Sequence, residues 1–313
     1  MKKAFLFQGQ GSQLVGMGHD LHDNYPLVRE LYEQANEVLE YDLKSIILSG
    51  PKDILDLTIN TQPALMLHSY AILKLIEHLS GKKIDQLCNV LAGHSLGEYT
   101  AVCASGAMSF EDCIKLLRLR GQSMQNAVAV GRGGMAALLG VESDDLTTIL
   151  SEASKFGTCE IANDNCPGQI VISGIIEAIH EAVNIAKAMG KKAIMLEVSA
   201  PFHCSLMDPV KDIMQQALEE INFLPPLVPI IANATAGLSQ EIDEIKALLI
   251  KQITSTVRWR ESINFLADNH CHNFFEIGTG KVLVGLGKRI NNQCSFTALN
   301  SVPAIEDFVK LIR

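Results

Sequence analysis

A Gly-x-Ser-x-Gly pentapeptide, from Gly93 to Gly97, is the feature that most constrains how this chain can fold. A short apolar run (89–92) precedes it, and a stretch of helical character (98–104) follows, with Gly106 placed to end the helix. On a sharp turn between a strand and a helix, Ser95 would stand beside backbone N–H groups that lack helical partners and can stabilise an oxyanion. Ser95 is therefore a candidate nucleophile, and a chance match of a short pattern is the alternative.

The composition is that of an ordinary globular protein and argues against several classes of function. The 313 residues are 48% hydrophobic and 19% charged, and the net charge of −9 disfavours binding to nucleic acid. The N-terminal apolar run stops at Gln8, too early for a signal peptide, and no run is long enough to span a membrane. The eight cysteines lack metal-ligand spacing, so we expect buried free thiols and a reducing, cytoplasmic location.

The order of the predicted elements indicates an α/β fold. Most of the chain alternates short apolar strands with amphipathic helices, one of which is predicted over 62–79 with Pro63 in its first turn. After about residue 131 the order becomes β-α-β-β-α-β, which is typical of ferredoxin-like folds, with Ser143 as the cap of its first helix. We expect an α/β-hydrolase-like catalytic subdomain with a parallel sheet and an inserted ferredoxin-like subdomain, at 1–128 with 199–313 and at 129–198, respectively.

His203 is the best-placed candidate for the base that a serine nucleophile needs. It lies in a proline-containing loop between a predicted strand and a predicted helix, where catalytic groups gather in α/β folds. A loop histidine without a function is the alternative. His94 adjoins the serine on the tight turn, and we expect it to be structural.

Five short motifs occur in an order that resembles one enzyme family. The chain is similar to the malonyl-CoA:acyl carrier protein transacylases of bacterial fatty acid synthesis and to the acyltransferase domains of polyketide synthases. The resemblance covers essentially the whole chain. The motifs are Gly9-Gln10-Gly11-Ser12-Gln13, Gly93-His94-Ser95-Leu96-Gly97-Glu98, Arg120-Gly121, Pro201-Phe202-His203 and Glu276-x-Gly278-x-Gly280-Lys281-Val282-Leu283.

The resemblance implies a role for each of six residues. Ser95 would carry the acyl group, and His203 would be the general base, oriented by the backbone carbonyl of Gln252 instead of by a carboxylate. Arg120 would bind the malonyl carboxylate, which suits a guanidinium group; a solvated helix residue is the alternative. The oxyanion hole is implied to consist of two backbone N–H groups, those of Gln10 and Leu96.

The implied reaction is a ping-pong transfer of a malonyl group from malonyl-CoA to the phosphopantetheine thiol of acyl carrier protein, without a metal or redox cofactor. A polyketide carrier, an acyl hydrolase of the same fold and a carrier-binding scaffold with an inactive site are alternatives. We expect a monomer whose partners are malonyl-CoA and an acidic carrier protein. Candidate docking residues are the basic ones at two places, Lys187, Lys191 and Lys192, and Lys281, Lys288 and Arg289.

Two positions depart from the commonest pattern of the family. Gln8 stands where proline often precedes the Gly-Gln-Gly turn, and Thr279 stands where Gly-Pro-Gly is usual. Both affect the geometry of loops and leave the catalytic groups in place. Phe202 resembles the malonyl-selecting residue of polyketide acyltransferases, because a bulky ring leaves less room for a 2-methyl branch.

Overall fold

The structure is a computed structural model that describes residues 1–313, and it confirms the mixed α/β class. None of its helices combines the length and the apolar character needed to cross a membrane. The strands are β1 Lys2–Phe7, β2 Val90–Gly93, β3 Gly133–Leu139, β4 Cys159–Cys166, β5 Gln169–Ile175, β6 Lys192–Met195, β7 Ile230–Ala232, β8 Gly237–Ser239, β9 Cys271–Ile277 and β10 Ser295–Leu299.

Fifteen α-helices surround these strands, with two short 3₁₀ helices at Ser154–Phe156 and Ser205–Met207. The α-helices are α1 His19–Asn24, α2 Pro26–Leu39, α3 Leu43–Ser49, α4 Lys52–Leu55, α5 Thr58–Ser80, α6 Ile84–Leu87, α7 Leu96–Ala104, α8 Phe110–Asn126, α9 Ser143–Ala153, α10 Ile176–Ala188, α11 Asp208–Glu220, α12 Ile242–Gln252, α13 Trp259–Asp268, α14 Val282–Ile290 and α15 Val302–Ile312.

The larger sheet has six strands in the order β10-β9-β1-β2-β7-β8, all parallel except β8. The fully buried residues of its central strands β1 and β2 are all apolar or glycine, because helices cover both faces. Alternate residues of β1 enter different cores: Phe5 and Phe7 join the largest apolar cluster, whereas Ala4 and Leu6 join a second one. This double burial fixes the register of β1 and β2, whose carboxyl ends carry the loops of the site.

The smaller sheet has four antiparallel strands in the order β4-β5-β3-β6. Its elements follow one another as β3-α9-β4-β5-α10-β6. Its own apolar cluster includes Leu138, Ile172 and Ile179, which come from two of the strands and from α10. This third cluster gives the smaller sheet an apolar core of its own.

Two predicted helix starts are wrong. The helix predicted from residue 62 begins at Thr58, so Pro63 lies inside it. Its first turn is held by side-chain hydrogen bonds to the preceding helix, from Asn60 Nδ2 to the Ile54 carbonyl (2.8 Å) and from Thr61 Oγ1 to the Leu55 carbonyl (2.6 Å). These contacts stabilise a start that helix propensity does not indicate.

The helix expected to begin after Ser143 begins at that residue. Glu142 is the N-cap and forms a capping box with Asp145, so the cap lies one position earlier than predicted. A glutamate in the N-cap position is less common than serine, and for this reason the sequence favoured the wrong residue.

Candidate active site

The Gly-x-Ser-x-Gly segment forms a sharp turn from β2 into α7. Ser95 has φ 54° and ψ −111° and precedes the first helical residue. A Cβ atom added to Gly93 would lie 1.8 Å from the Gly97 carbonyl oxygen, and one added to Gly97 would lie 2.3 Å from the Phe7 carbonyl oxygen. Both glycines are therefore required because the turn passes directly against its own helix and against β1.

Ser95 Oγ lies 2.7 Å from His203 Nε2. His203 Nδ1 lies 3.0 Å from the carbonyl oxygen of Gln252, which can only accept, so Nδ1 carries the proton and Nε2 is free to accept from the serine hydroxyl. Burial, together with the positive charge of Arg120, lowers the pKa of His203 to about 3. The imidazole is thus neutral at physiological pH. His203 also has a positive φ of 58°, which sequence reasoning did not anticipate.

Two backbone N–H groups near the serine donate no hydrogen bond within the protein, those of Gln10 and Leu96. Leu96 is the first residue of α7, and Gln10 lies in the loop that follows β1. The N–H group of Ser95 itself is bound to Asn233 Oδ1 at 2.8 Å. The arrangement therefore leaves the two predicted amides, and not that of the serine, free to bind an oxyanion.

Arg120 is buried, with 1% of its surface exposed, so the alternative of a solvated helix residue is wrong. Its Nη1 donates to Gln62 Oε1 and its Nη2 to Gln252 Oε1, both at 2.8 Å, and Nη2 lies 3.4 Å from Ser95 Oγ. The Tyr99 ring lies 5.1 Å from the guanidinium carbon. All of these partners are neutral, and Arg120 Nε has no partner. A buried cation without an ion partner is unfavourable, so the site is electrostatically suited to an anionic ligand.

Sequence reasoning missed a buried network behind these groups. Glu98 Oε2 accepts from the Asn233 N–H (3.0 Å) and from Gln252 Nε2 (2.8 Å). Gln252 Nε2 also donates to the Ser95 carbonyl at 2.9 Å. Burial raises the pKa of Glu98 to about 7, against the opposing effects of these hydrogen bonds and of Arg120. The glutamate within the Gly-His-Ser-Leu-Gly-Glu motif was the one available signal.

A cleft of about 500 Å³ opens onto Ser95 and His203. Loops at the carboxyl ends of the parallel strands line one side of the cleft, as is usual in open α/β sheets, and residues of the smaller sheet line the other. Met135 and Phe202 give this space an apolar wall. His94 Nε2 lies 2.8 Å from Asn165 Oδ1, a contact that agrees with the structural role expected for this histidine.

The two positions that depart from the family pattern contact each other. Gln8 Nε2 donates to the Thr279 carbonyl oxygen and to Glu276 Oε1, the latter at 2.6 Å. The Glu276 carboxylate also accepts from the N–H groups of Leu283 (3.0 Å) and Val284 (2.8 Å), in the first turn of α14. Gln8 therefore connects the loop that carries Gln10 to the loop that precedes α14.

The eight cysteines are all free and buried, as expected. Cys204 adjoins His203, and its Sγ donates to the Pro201 carbonyl at 3.2 Å. Burial raises the pKa of this thiol. These observations agree with the buried free thiol expected at each cysteine position.

The candidate docking residues differ in how far they are engaged within the protein. Lys191 pairs with Asp145 at 2.7 Å, and Arg289 donates to Gln169 Oε1 at 2.7 Å. The remaining four are exposed and form no ion pair, namely Lys187, Lys192, Lys281 and Lys288.

Comparison with known proteins shows that the chain is similar to acyltransferases. Residues 4–300 match the family model described as an acyl transferase domain. The chain is 42% identical over 314 residues to the malonyl CoA-acyl carrier protein transacylase of Bacillus subtilis, covering 100% of this chain and 98% of that protein. It is 38% identical over 309 residues to the Escherichia coli K12 protein of the same name, covering 98% and 99%.

Two solved structures resemble this fold over nearly their whole length. The acyl-carrier-protein S-malonyltransferase of Bartonella henselae superposes with a TM-score of 0.97 at 44% identity, covering 100% of this chain and 99% of that one. A malonyl transacylase in complex with its type II polyketide acyl carrier protein gives a TM-score of 0.95 at 37% identity, covering 99% and 100%.

Proposed function

The chain belongs to the acyl transferase domain family, and from this membership and its site we propose that Ser95 carries a malonyl group on its way to acyl carrier protein. The protein is an acyltransferase that transfers malonyl groups from malonyl-CoA to acyl carrier protein in fatty acid synthesis. The roles of individual residues below are our proposal.

In the first half-reaction, Ser95 Oγ attacks the thioester carbonyl while His203 Nε2 takes the hydroxyl proton. The N–H groups of Gln10 and Leu96 stabilise the oxyanion of the tetrahedral intermediate, a contribution of about 3 kcal/mol per donor in comparable sites. Collapse breaks the C–S bond, and His203 returns its proton to the departing thiolate, so coenzyme A leaves as a thiol. The 2.7 Å contact between Ser95 and His203 supports this assignment.

In the second half-reaction, the phosphopantetheine thiol of the carrier protein gives its proton to His203 and attacks the malonyl-Ser95 ester. The C–O bond breaks, and Ser95 Oγ takes the proton back from His203. Each half-reaction moves the acyl group between one serine and one thiol without a change of oxidation state, so the two thiols, the side chains and the backbone N–H groups account for every bond and proton. We therefore propose that no metal or redox cofactor is needed.

The observation that carries the choice of malonyl is the environment of Arg120. Its buried guanidinium has only neutral oxygen partners, so the free carboxylate of a malonyl group on Ser95 would supply the missing negative charge. A neutral acyl group would leave the guanidinium without a direct ion partner. The same argument disfavours a general acyl hydrolase.

Mass spectrometry of the intact protein tests the proposal. Incubation with malonyl-CoA should add one malonyl group to the wild type and none to Ser95→Ala. In Arg120→Ala we expect acylation by malonyl-CoA to fall at least about 100-fold relative to acylation by acetyl-CoA, because the buried charge pair is lost. A wild type that forms no malonyl adduct, or that hydrolyses acetyl thioesters faster than it transfers malonyl groups, would contradict the proposed function.

The finer architecture and partners are also proposals. The β-α-β-β-α-β order and the β4-β5-β3-β6 sheet support a ferredoxin-like subdomain over 129–198, inserted into an α/β-hydrolase-like subdomain.

We propose that the protein is a monomer. The free cysteines support a reducing location such as the cytoplasm. The exposed lysines at 187, 192, 281 and 288 are the proposed contacts of the acidic carrier protein.

A further inference from the structure

The side-chain amide of Gln252 lies between a buried cation and a buried carboxyl group. Its Oε1 accepts from Arg120 Nη2 and its Nε2 donates to Glu98 Oε2, each at 2.8 Å. The charges on the two sides thus determine which end of the amide is oxygen and which is nitrogen. The backbone carbonyl of the same residue accepts from His203 Nδ1. A displacement of Gln252 would therefore affect both the arginine and the histidine.

Glu98 is placed to hold this amide, because it is buried with 2% of its surface exposed and it forms no ion pair with a lysine or arginine. Its Oε2 accepts from the backbone of Asn233, whose side chain in turn accepts from the Ser95 N–H. The carboxylate thereby joins α7, α12 and the loop after β7 behind the nucleophile. The reaction proposed above assigns no step to it.

We propose that Glu98 is a positioning residue for malonyl transfer, acting as the counter-ion of Arg120 across the Gln252 amide. This inference rests on the proposed function. Because the contact runs through an amide, Glu98 compensates part of the charge of Arg120 without occupying its guanidinium. Arg120 Nη2, which lies 3.4 Å from Ser95 Oγ, thereby keeps its position beside the serine that would carry the malonyl group.

The charge of Glu98 has opposite consequences for chemistry and for substrate binding. During acyl transfer His203 becomes an imidazolium close to Arg120, and a negative charge behind Gln252 offsets the repulsion between the two cations. The same charge competes with the malonyl carboxylate for Arg120. Removal of the charge should therefore slow the chemical step and strengthen ground-state binding, a combination that general loosening of the site does not produce.

Glu98→Gln removes the negative charge and keeps the size of the side chain. A glutamine can still present its oxygen to the same two N–H donors. Rapid-quench mass spectrometry of malonyl-Ser95 formation at pH 8, above the pKa of about 7 of Glu98, would give the maximal acylation rate and the half-saturating malonyl-CoA concentration. We expect the rate to fall about tenfold and the half-saturating concentration to fall about threefold. Glu98→Ala, which also loses the acceptor, should be slower still.

Glu77→Gln is the matched control, since it makes the same change at a largely buried glutamate that pairs with Lys74 on α5, outside the site. If Glu98→Gln matched this control in both parameters, Glu98 would have no positioning role. A lower rate with a higher half-saturating concentration and a lower melting temperature would show a structural role only. Failure of the wild type to form any malonyl adduct would instead overturn the proposed function.

Discussion

At the scale of single residues, the turn that carries the nucleophile depends on the absence of two side chains. A Cβ atom on Gly97 would lie 2.3 Å from the Phe7 carbonyl oxygen and 2.7 Å from that of Gln8. Both obstacles are backbone atoms at the carboxyl end of β1, where Phe7 pairs with Gly93 of β2, so they cannot move without disturbing this strand pair. We expect Gly97→Ala to lower the free energy of unfolding in urea by about 3 kcal/mol or more.

Gly285 provides the control, because it lies inside α14 with no atom within 4 Å of its would-be Cβ. Gly285→Ala should raise the free energy of unfolding by about 0.5–1 kcal/mol, through the lower backbone entropy of alanine in the unfolded chain. Equal effects at the two glycines would contradict the steric explanation of the turn.

The residues of the site could be predicted from the sequence only where a short motif marks them. Ser95, Arg120 and His203 lie in such motifs, and the structure brings them together, although their roles stay predictions. Asn233 and the side-chain amide of Gln252 were missed. Each acts through contacts with residues more than 130 positions away, and such pairings follow from strand order and not from local spacing.

At the scale of elements, the start of α14 is held by a carboxylate from another element. The N-cap residue, Lys281, makes no side-chain cap, and Glu276 at the end of β9 accepts from the Leu283 and Val284 N–H groups instead. We expect Glu276→Ala to lower the free energy of unfolding by about 2 kcal/mol, because two buried donors lose a charged acceptor. Urea denaturation measures the change.

The same substitution should also slow acylation, because Gln8 would lose its Glu276 partner next to the loop that carries Gln10. Glu30→Ala, at an exposed position of α2, is the control and should leave both stability and acylation rate unchanged. Unchanged stability of Glu276→Ala would show that the helix start does not depend on this carboxylate.

Elements were predictable where the local pattern is clear, as in the helix predicted over 98–104, which the structure places at Leu96–Ala104. The start of α5 was not, because hydrogen bonds to the preceding helix, and not the position of Pro63, determine it. The cap of α9 was misplaced by one residue for a similar reason, since Asp145 completes the box with Glu142. Local patterns thus located the elements, and contacts between side chains and backbone set their ends.

At the scale of the whole molecule, buried ionisable groups link stability to pH. Burial lowers the pKa of His68 to about 4 and that of His203 to about 3, so below about pH 6.5 the unfolded chain binds protons that the folded protein does not. Both histidines therefore destabilise the fold as the pH falls. Glu98 acts in the opposite sense, since its raised pKa lets the folded protein bind a proton first as the pH falls through 7. Between pH 7 and pH 5, the two histidines together should lower the free energy of unfolding by more than Glu98 raises it.

His68 allows this linkage to be tested away from the candidate active site, because it is buried in α5 with Tyr32 Oη 3.4 Å from its Nδ1. Between pH 7 and pH 5, His68→Gln should lose about 2 kcal/mol less free energy of unfolding than the wild type. Urea denaturation at each pH measures this, and the comparison of differences removes any constant effect of the substitution. From pH 7 to pH 8 the gap between the two proteins should stay constant, because His68 is then neutral in both states. If the free energies of unfolding of the two proteins fell in parallel down to pH 5, His68 would take up its proton in the folded protein as readily as in the unfolded chain.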